Sequence, residues 1–326
     1  KIRTELGDKA VLTNEQIGEK HLADWSGETA DAKPDAVIRP ANTNELSVVL
    51  KLCHEAGQAV AVQGGMSGLS GGAIPDHNEL ALSLERMSGI EEIDAEAMTM
   101  TVLSGTPLQT IQEAAEAADL NFPLDLGARG SCTIGGNVST NAGGNQVIRF
   151  GMTRALILGL EAVLADGTVV SSLNKMLKNN AGYDLKQLFI GTEGTLGVVT
   201  RIVLRLYPKL SSRCTALCAL DTLADVIKFL RLTGSTSGGT LSSYEVMWAN
   251  YYDYVIERVS HLQSPFDQSY PFYVLMELEG SDQEQDSARF QNLLESALDS
   301  TLIKDAAIAQ SEKETAAFWQ IRDGVG

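Results

Sequence analysis

A chain of 326 residues, 44% hydrophobic and 21% charged, has room for about two domains and a large buried core. Its formal net charge of −17 argues against nucleic acid or an anionic membrane surface as a partner. No apolar run approaches the roughly 20 residues that span a bilayer, residues 1–20 are too polar for a secretory signal, and the cysteines, without metal-ligand spacing or a C-x-x-C, read as reduced thiols of a cytoplasmic protein.

In chain order, residues 1–33 read as a polar, helical lead-in, and Pro34–Pro40 as a short apolar strand between two prolines. Asn42 or Thr43 can cap a helix whose apolar face, Leu46, Val49, Leu50 and Cys53, recurs at i, i+3, i+4 and i+7 until Gly57 stops it. Strand-like residues 59–62 then run into the glycine-rich loop Gln63–Ala73. Leu80, Leu82 and Leu84 alternate with smaller or polar residues as in a strand; SGIEEIDAEA reads as turns, Met98–Leu103 as a strand, and Leu108–Ala118 as an Ala-rich helix opened by Pro107. A second small-residue stretch follows, GSCTIGGNVSTNAGG at 130–144. Residues 156–165 and 168–171 flank Asp166-Gly167 as a hairpin, and a glycine-broken segment, 182–200, leads into a buried strand from Val198 to Val203.

Beyond about residue 210 glycine thins and strands alternate with helices: strands at 214–220, 241–247, 272–279 and 302–309, helices at 223–230, 250–259 and 282–298. This is an α+β arrangement. Tyr244, Trp248, Tyr251, Tyr252 and Tyr254 read as one aromatic stripe in a core or an interface.

The two glycine stretches carry the functional argument. Each is rich in Gly, Ser, Thr and Asn, contributes little to a core, and is suited to presenting main-chain N–H groups to an anion such as a phosphate. A single such loop is equally a surface turn. Gly64, Gly65 and Gly68 do not form G-x-G-x-x-G, no long helix follows, and no G-K-[ST] occurs, which argues against a Rossmann dinucleotide site or a P-loop. On so acidic a chain a bound diphosphate depends on local N–H dipoles.

Together with GYDLKQLFIGTEGTLGVVT at 182–200, the two stretches resemble the FAD-binding half of the vanillyl-alcohol-oxidase (PCMH-type) flavoproteins, and within them the D-2-hydroxyacid dehydrogenases. The likeness is dense from Asp24 to Pro208 and thinner beyond. It implies an FAD-binding domain at 1–209 and an incomplete α+β substrate (cap) domain at 210–326. Gly64, Gly65, Met66, Ser67, Gly68 and Leu69 would wrap the diphosphate. Ala128, Ser131, Thr133, Ile134, Gly135, Asn137, Val138, Asn141 and Ala142 would line the ring and ribityl region, with Val198 and Val199 near the other end, and Gly127, Glu193 and Gly197 would also contact the cofactor. Covalently flavinylated relatives have His in the first loop where this chain has Met66, so the FAD is expected to be noncovalent.

The same resemblance implies an enzyme that oxidises a D-2-hydroxy acid, with 2-hydroxyglutarate preferred to lactate or glycolate, and delivers electrons to a quinone or an electron-transfer flavoprotein. It allows a homodimer. Oxidation needs a cation for the substrate carboxylate and a base for the hydroxyl proton. Trp319–Asp323, WQIRD, resembles the family's W-x-x-R-[DE] element and nominates Arg322 for the carboxylate; on spacing alone it is equally a surface arginine. The family's G-H-x-G-D-G-N-x-H segment does not occur here, so no metal ligand is expected in this chain. The catalytic base and the ligands of any divalent metal are expected beyond Gly326, in a longer enzyme of which this chain is a fragment. The alternatives are a non-catalytic flavin-carrying subunit of a larger complex and an enzyme like alkylglycerone-phosphate synthase.

Overall fold

The structure, a computed structural model, describes residues 1–30 and 34–324. It divides into two compact units, 1–143 with 152–208, and 144–151 with 209–326. The short segment 144–151 thus leaves the first unit directly after the second glycine stretch and belongs to the other, an excursion that a division at 209/210 does not contain. Glycines with left-handed backbone, Gly144 at φ 93° and Gly151 at φ 78°, stand at its two ends.

Two sheets build most of the first unit. One has the order β1–β2–β4–β3, with β1 Val11–Leu12, β2 Val37–Ile38, β3 Val60–Gln63 and β4 Leu80–Ser83; β2, β3 and β4 are parallel. Its helix α2, Thr43–Ala56, begins where the Asn42 side chain accepts the Glu45 N–H and ends at left-handed Gly57. Leu46, Val49, Leu50 and Cys53 pack with Ile38, Leu82 and Leu84, as the helical period requires. The alternation expected for β4 gives way to burial on both sides, Ala81, Leu82 and Ser83 all being inside; strands of a parallel sheet are covered on both faces.

The second sheet is antiparallel, in the order β5–β6–β10–β8–β9: β5 Ile90–Asp94, β6 Thr99–Leu103, β8 Ile157–Val163, β9 Val169–Ser172 and β10 Val198–Arg205. Strand β5 corrects the reading of residues 88–97 as turns. Its outward Glu91 and Glu92 meet Arg201 and Lys175, so the charges sit on an edge strand facing its neighbours. The unit is completed by α3 Leu108–Ala117, a two-residue pairing of β7 Leu120–Asn121 with β11 Tyr207–Pro208, and α4 Ile134–Ser139. The lead-in also differs from expectation. Only α1, Ile2–Leu6, is α-helical, and the rest is 3-10 turns and β1, because polar residues there close local turns; residues 31–33 lie outside the described chain.

The second unit is one antiparallel sheet, β13–β14–β12–β15, from β12 Ser212–Leu220, β13 Leu241–Trp248, β14 Phe272–Gly280 and β15 Asp305–Ile308. Period-two alternation separates its faces. Ala216, Cys218, Leu220, Val274, Met276 and Leu278 pack with α6 Leu223–Thr236 and α8 Gln283–Asp299. Leu217, Ala219, Tyr273 and Leu275 pack with α7 Ala249–Arg258 and α9 Glu312–Asp323. The expected aromatic stripe is split by these faces. Tyr244 lies 6.1 Å from Phe229 on the first side, Tyr252 stacks on Tyr273 at 3.7 Å on the second, and Trp248 and Tyr254 are half exposed. The excursion forms α5, Val147–Phe150. It is fastened where Arg149 Nη1 donates to the Glu279 carbonyl at 2.6 Å and Gln146 Nε2 to the Glu279 carboxylate at 3.0 Å. Burial pushes the Glu279 carboxyl above its ordinary range, with Arg213 working against it.

Candidate cofactor site

The first unit gathers the three glycine-rich motifs at one place. A Cβ on Gly64 would stand 2.7 Å from Thr133 Oγ1 and one on Gly65 2.8 Å from the Cys132 Cα, so the first loop lies directly on the second. On Gly72 it would meet the Glu193 carboxylate at 2.8 Å, and on Gly194 the Val62 side chain at 3.2 Å, which brings in the third motif. Gly191 N–H and Glu193 N–H donate to Val138 and Ser139 carbonyls at 3.1 and 2.9 Å, closing the third motif onto α4.

The first loop leaves its amides bare. Among the described residues none of the main-chain N–H groups from Gly64 to Leu69 meets an acceptor, although a backbone donor normally finds a partner. Met66 adopts the left-handed backbone, φ 51°, a turn of the kind that aims successive N–H groups into one concavity. The loop's rim is fastened by other means. Asp24 Oδ2 accepts Gly71 N–H at 3.0 Å, and the Gly68 carbonyl accepts Trp25 N–H at 2.9 Å.

The second stretch behaves differently from the expectation of a second amide nest. Ile134 and Gly135 N–H donate to the Thr106 and Ser104 carbonyls at 3.0 and 2.7 Å, Ser131 and Cys132 N–H to the Ala128 carbonyl, and Asn137, Asn141 and Ala142 N–H within the turn itself. Its glycines serve contact: a Cβ on Gly135 would lie 2.6 Å from Ser104 Cβ and 2.8 Å from Ser104 O. What it offers instead is side-chain polarity. Thr133 Oγ1 and Asn137 Oδ1 are buried with no donor or acceptor at hydrogen-bond distance, and Thr133, the residue before α4, makes no cap bond with its hydroxyl. The adjacent Cys132 thiol is pushed up by burial, with the Asn137 side chain opposing.

Of the remaining expected residues, Gly127 has open space around it and Ala128 closes the turn before Ser131. Val198 and Val199 are buried on β10 opposite Val163 and Ala162, and a Cβ on Gly197 would press on the Phe189 ring at 2.9 Å. Leu69 is exposed. Residues that the sequence did not nominate also hold the site. Arg154 donates to Gln187 O, Gln187 Oε1 and Ile190 O while its N–H donates to Asn141 Oδ1, joining the second and third motifs. Gln63 and His21 do the same for the neck of the first loop.

These features fit FAD on physical grounds: bare amides for a diphosphate, and unpaired buried Thr133 and Asn137 atoms beside them for further polar groups. Gly64–Leu69 would hold the diphosphate, with Thr133 and Asn137 next to it.

Arg322 belongs to the second unit, on α9. Its Nε and Nη2 each lie 2.9 Å from Glu245 Oε2, and Nη1 lies 2.9 Å from Asp323 Oδ1. Burial tends to lower its pKa, but the two carboxylates raise it above the ordinary arginine value. Three residues earlier Trp319 Nε1 donates to Glu277 Oε1 at 2.9 Å, and Thr215 Oγ1 donates to the same oxygen at 2.7 Å. The W-x-x-R spacing therefore docks one helix face on the carboxylates of two adjacent strands, and two of the five guanidinium N–H donors stay uncommitted. Among the described residues no three His, Cys, Asp or Glu side chains are gathered as a metal would need, and no helix is long and apolar enough to cross a membrane.

Residues 34–172 match the family model for the FAD binding domain, and residues 209–325 that for the C-terminal domain of FAD linked oxidases. The chain is 37% identical over 320 residues to a mitochondrial D-2-hydroxyglutarate dehydrogenase of Arabidopsis thaliana and 38% identical over 315 residues to that of Bos taurus. The matches take in 98% and 97% of this chain but 57% of each relative, so the chain spans little more than half their length. The fold of p-cresol methylhydroxylase with substrate bound superposes with a TM-score of 0.76 at 17% identity, over 97% of this chain and 67% of that one. With bare amides, buried unpaired polar atoms and both domain matches in sequence order, the chain belongs to the FAD linked oxidases, an FAD binding domain followed by their C-terminal domain, in an α+β fold like that of p-cresol methylhydroxylase.

Proposed function

We propose that this chain carries the flavin site and part of the substrate site of a dehydrogenase that oxidises a D-2-hydroxy acid to the 2-oxo acid, with 2-hydroxyglutarate preferred to lactate or glycolate. The observation that carries the reading is the identity of 37% and 38%, sustained over nearly the whole chain, with proteins named as D-2-hydroxyglutarate dehydrogenases. FAD, held noncovalently, supplies the hydride acceptor when bound, and its electrons pass to a quinone or an electron-transfer flavoprotein. The chain's own contribution is to grip the diphosphate through Gly64–Leu69 and to offer the two uncommitted N–H donors of Arg322 to the substrate carboxylate. Glu245 holds that guanidinium in one orientation. No described side chain is assigned the base for the hydroxyl proton.

The four buried thiols suit any reducing compartment. The plant and bovine relatives are named mitochondrial, so a cytoplasmic setting has no support beyond the cysteines.

Anaerobic addition of D-2-hydroxyglutarate, and not its L enantiomer, is expected to bleach the visible flavin band. Replacing Arg322 by Met should raise the substrate concentration needed by about tenfold or more, the scale of a lost charge-assisted pair, with flavin content unchanged. Bleaching by neither enantiomer would discard the reading in favour of a flavin carrier without chemistry of its own. That second reading draws on the hold Glu245 and Asp323 already have on Arg322.

A further inference from the structure

We propose that Gln63 and His21 form a positioning pair that clamps the neck of the first glycine loop and thereby sets the geometry of its diphosphate-binding amides. The inference rests on FAD binding and is independent of the dehydrogenase reading.

A loop of nine residues, 64–72, five of them glycine, has a large conformational entropy to lose before its amides can converge. Because the N–H groups from Gly64 to Leu69 are left bare, they cannot themselves hold the loop. While Asp24 and Trp25 fasten its rim, Gln63, fully buried at the end of β3, restrains its neck. Its Nε2 donates to the carbonyl of Ala73, at the far end of the loop, at 3.0 Å, and to the His21 carbonyl at 2.9 Å; its Oε1 stands 3.0 Å from His21 Nδ1. One amide therefore ties both ends of the loop to each other and to the lead-in segment.

The orientation of each group follows from the others. Turning the Gln63 amide over would set Oε1 against two carbonyl oxygens, so Nε2 must face them and Oε1 must accept. His21 Nδ1 then carries the proton. The histidine's Nε2 is left as an unpaired, buried acceptor, on a residue only 2% exposed. A buried polar atom without a partner is costly, and no catalytic contact accounts for this one. The His21 side chain thus serves the clamp through its other nitrogen, as the main chain does through its carbonyl, both committed to Gln63.

The test uses the full chain stripped of flavin, titrated with FAD and with riboflavin, which lacks the diphosphate. Gln63→Leu and His21→Leu should each weaken FAD about tenfold or more, equivalent to roughly 1.4 kcal/mol, while riboflavin binding changes by less than about threefold. His21→Asn, whose amide nitrogen replaces Nδ1, should restore FAD affinity to within about threefold of the parent. The clamp is overturned if Gln63→Leu binds FAD like the parent, if riboflavin weakens in parallel, or if His21→Asn is as poor as His21→Leu. Should Gln63→Leu fail to fold, the two His21 variants decide the matter. A parent chain that takes up no FAD would sink the amide nest itself.

Discussion

Two stretches of nearly the same composition serve opposite ends in the first unit. The loop at 64–72 keeps its amides bare from Gly64 to Leu69 and is held from outside by Gln63, His21 and Asp24. The stretch at 130–144 spends most of its amides on the protein, folds a short helix, and leaves two side-chain atoms unpaired. Glycine in the first permits an anion-facing turn; in the second it permits backbone to pass against Ser104. Composition identifies neither use. What separates them is whether the N–H groups have acceptors, a property of tertiary structure.

The sharpest way to break this contrast is to add one methyl group to each stretch. Gly135→Ala would drive its Cβ to 2.6 Å from Ser104 Cβ and 2.8 Å from Ser104 O, neither of which can swing away. We expect a loss of about 2–4 kcal/mol in the stability of the flavin-free protein, the scale of an overpacked core, read by denaturant unfolding. Gly65→Ala meets backbone still more closely, at 2.0 Å from Ser131 O and 2.8 Å from Cys132 Cα, but the amides from Gly64 to Leu69 bond no acceptor, so displacing them breaks no main-chain hydrogen bond of their own. Its expected signature is an FAD affinity lower by about tenfold or more with a smaller change in apo stability than Gly135→Ala. Equal stability losses in the two variants would erase the distinction.

Thr133→Val tests the second stretch from its polar side. The hydroxyl has no partner and makes no cap bond, so an apolar replacement of similar shape removes an unsatisfied group. Apo stability should stay level or rise by up to about 1 kcal/mol, whereas FAD affinity should fall, since the hydroxyl would be lost to the cofactor. A fall in both would assign Thr133 to the fold.

How much of this was legible in the sequence depended on the range of the interaction that decides it. Helix α2 was readable in full, because its period, its Asn42 cap and its Gly57 stop are local. Strand β5 was not, since IEEID has no alternation of its own and its glutamates are explained by Arg201 and Lys175, which stand 110 and 83 positions away. Helix α4 was missed because Gly135-Gly136 is a poor helix former, and what holds it is the carbonyls of Ser104 and Thr106. The glycine loops announced themselves by composition. Their clamp did not: His21 lies 42 residues from Gln63, and the only local hint is a glutamine, rather than an apolar residue, at the end of a buried strand.

The smallest expected effect separates the stretches by pH. Neither contains an acid, a lysine, an arginine or a histidine, but the neck of the first depends on neutral His21. Burial pushes that imidazole below its ordinary value near 6.5, outweighing the Gln63 hydrogen bond and the nearby Glu85, which act to raise it; Lys20 and Arg39 add to the lowering. Glu85 is itself held low: burial tends to raise it, but hydrogen bonds from Lys20 and Arg39 win, so it stays charged as the histidine titrates. The unfolded chain therefore takes up the proton first as pH falls. His21 contributes no pH dependence above about 6.5, and stability declines as pH drops from there towards the depressed folded value, by less than about 1 kcal/mol at pH 6 for this one proton. Comparing the pH dependence of unfolding in the parent with that in His21→Asn isolates it from the carboxylates. The variant should lack the decline between pH 7 and 6, which is less than about 1 kcal/mol. Parallel curves would mean that His21 titrates alike in both states, and that the neck is not protected from water as its burial requires.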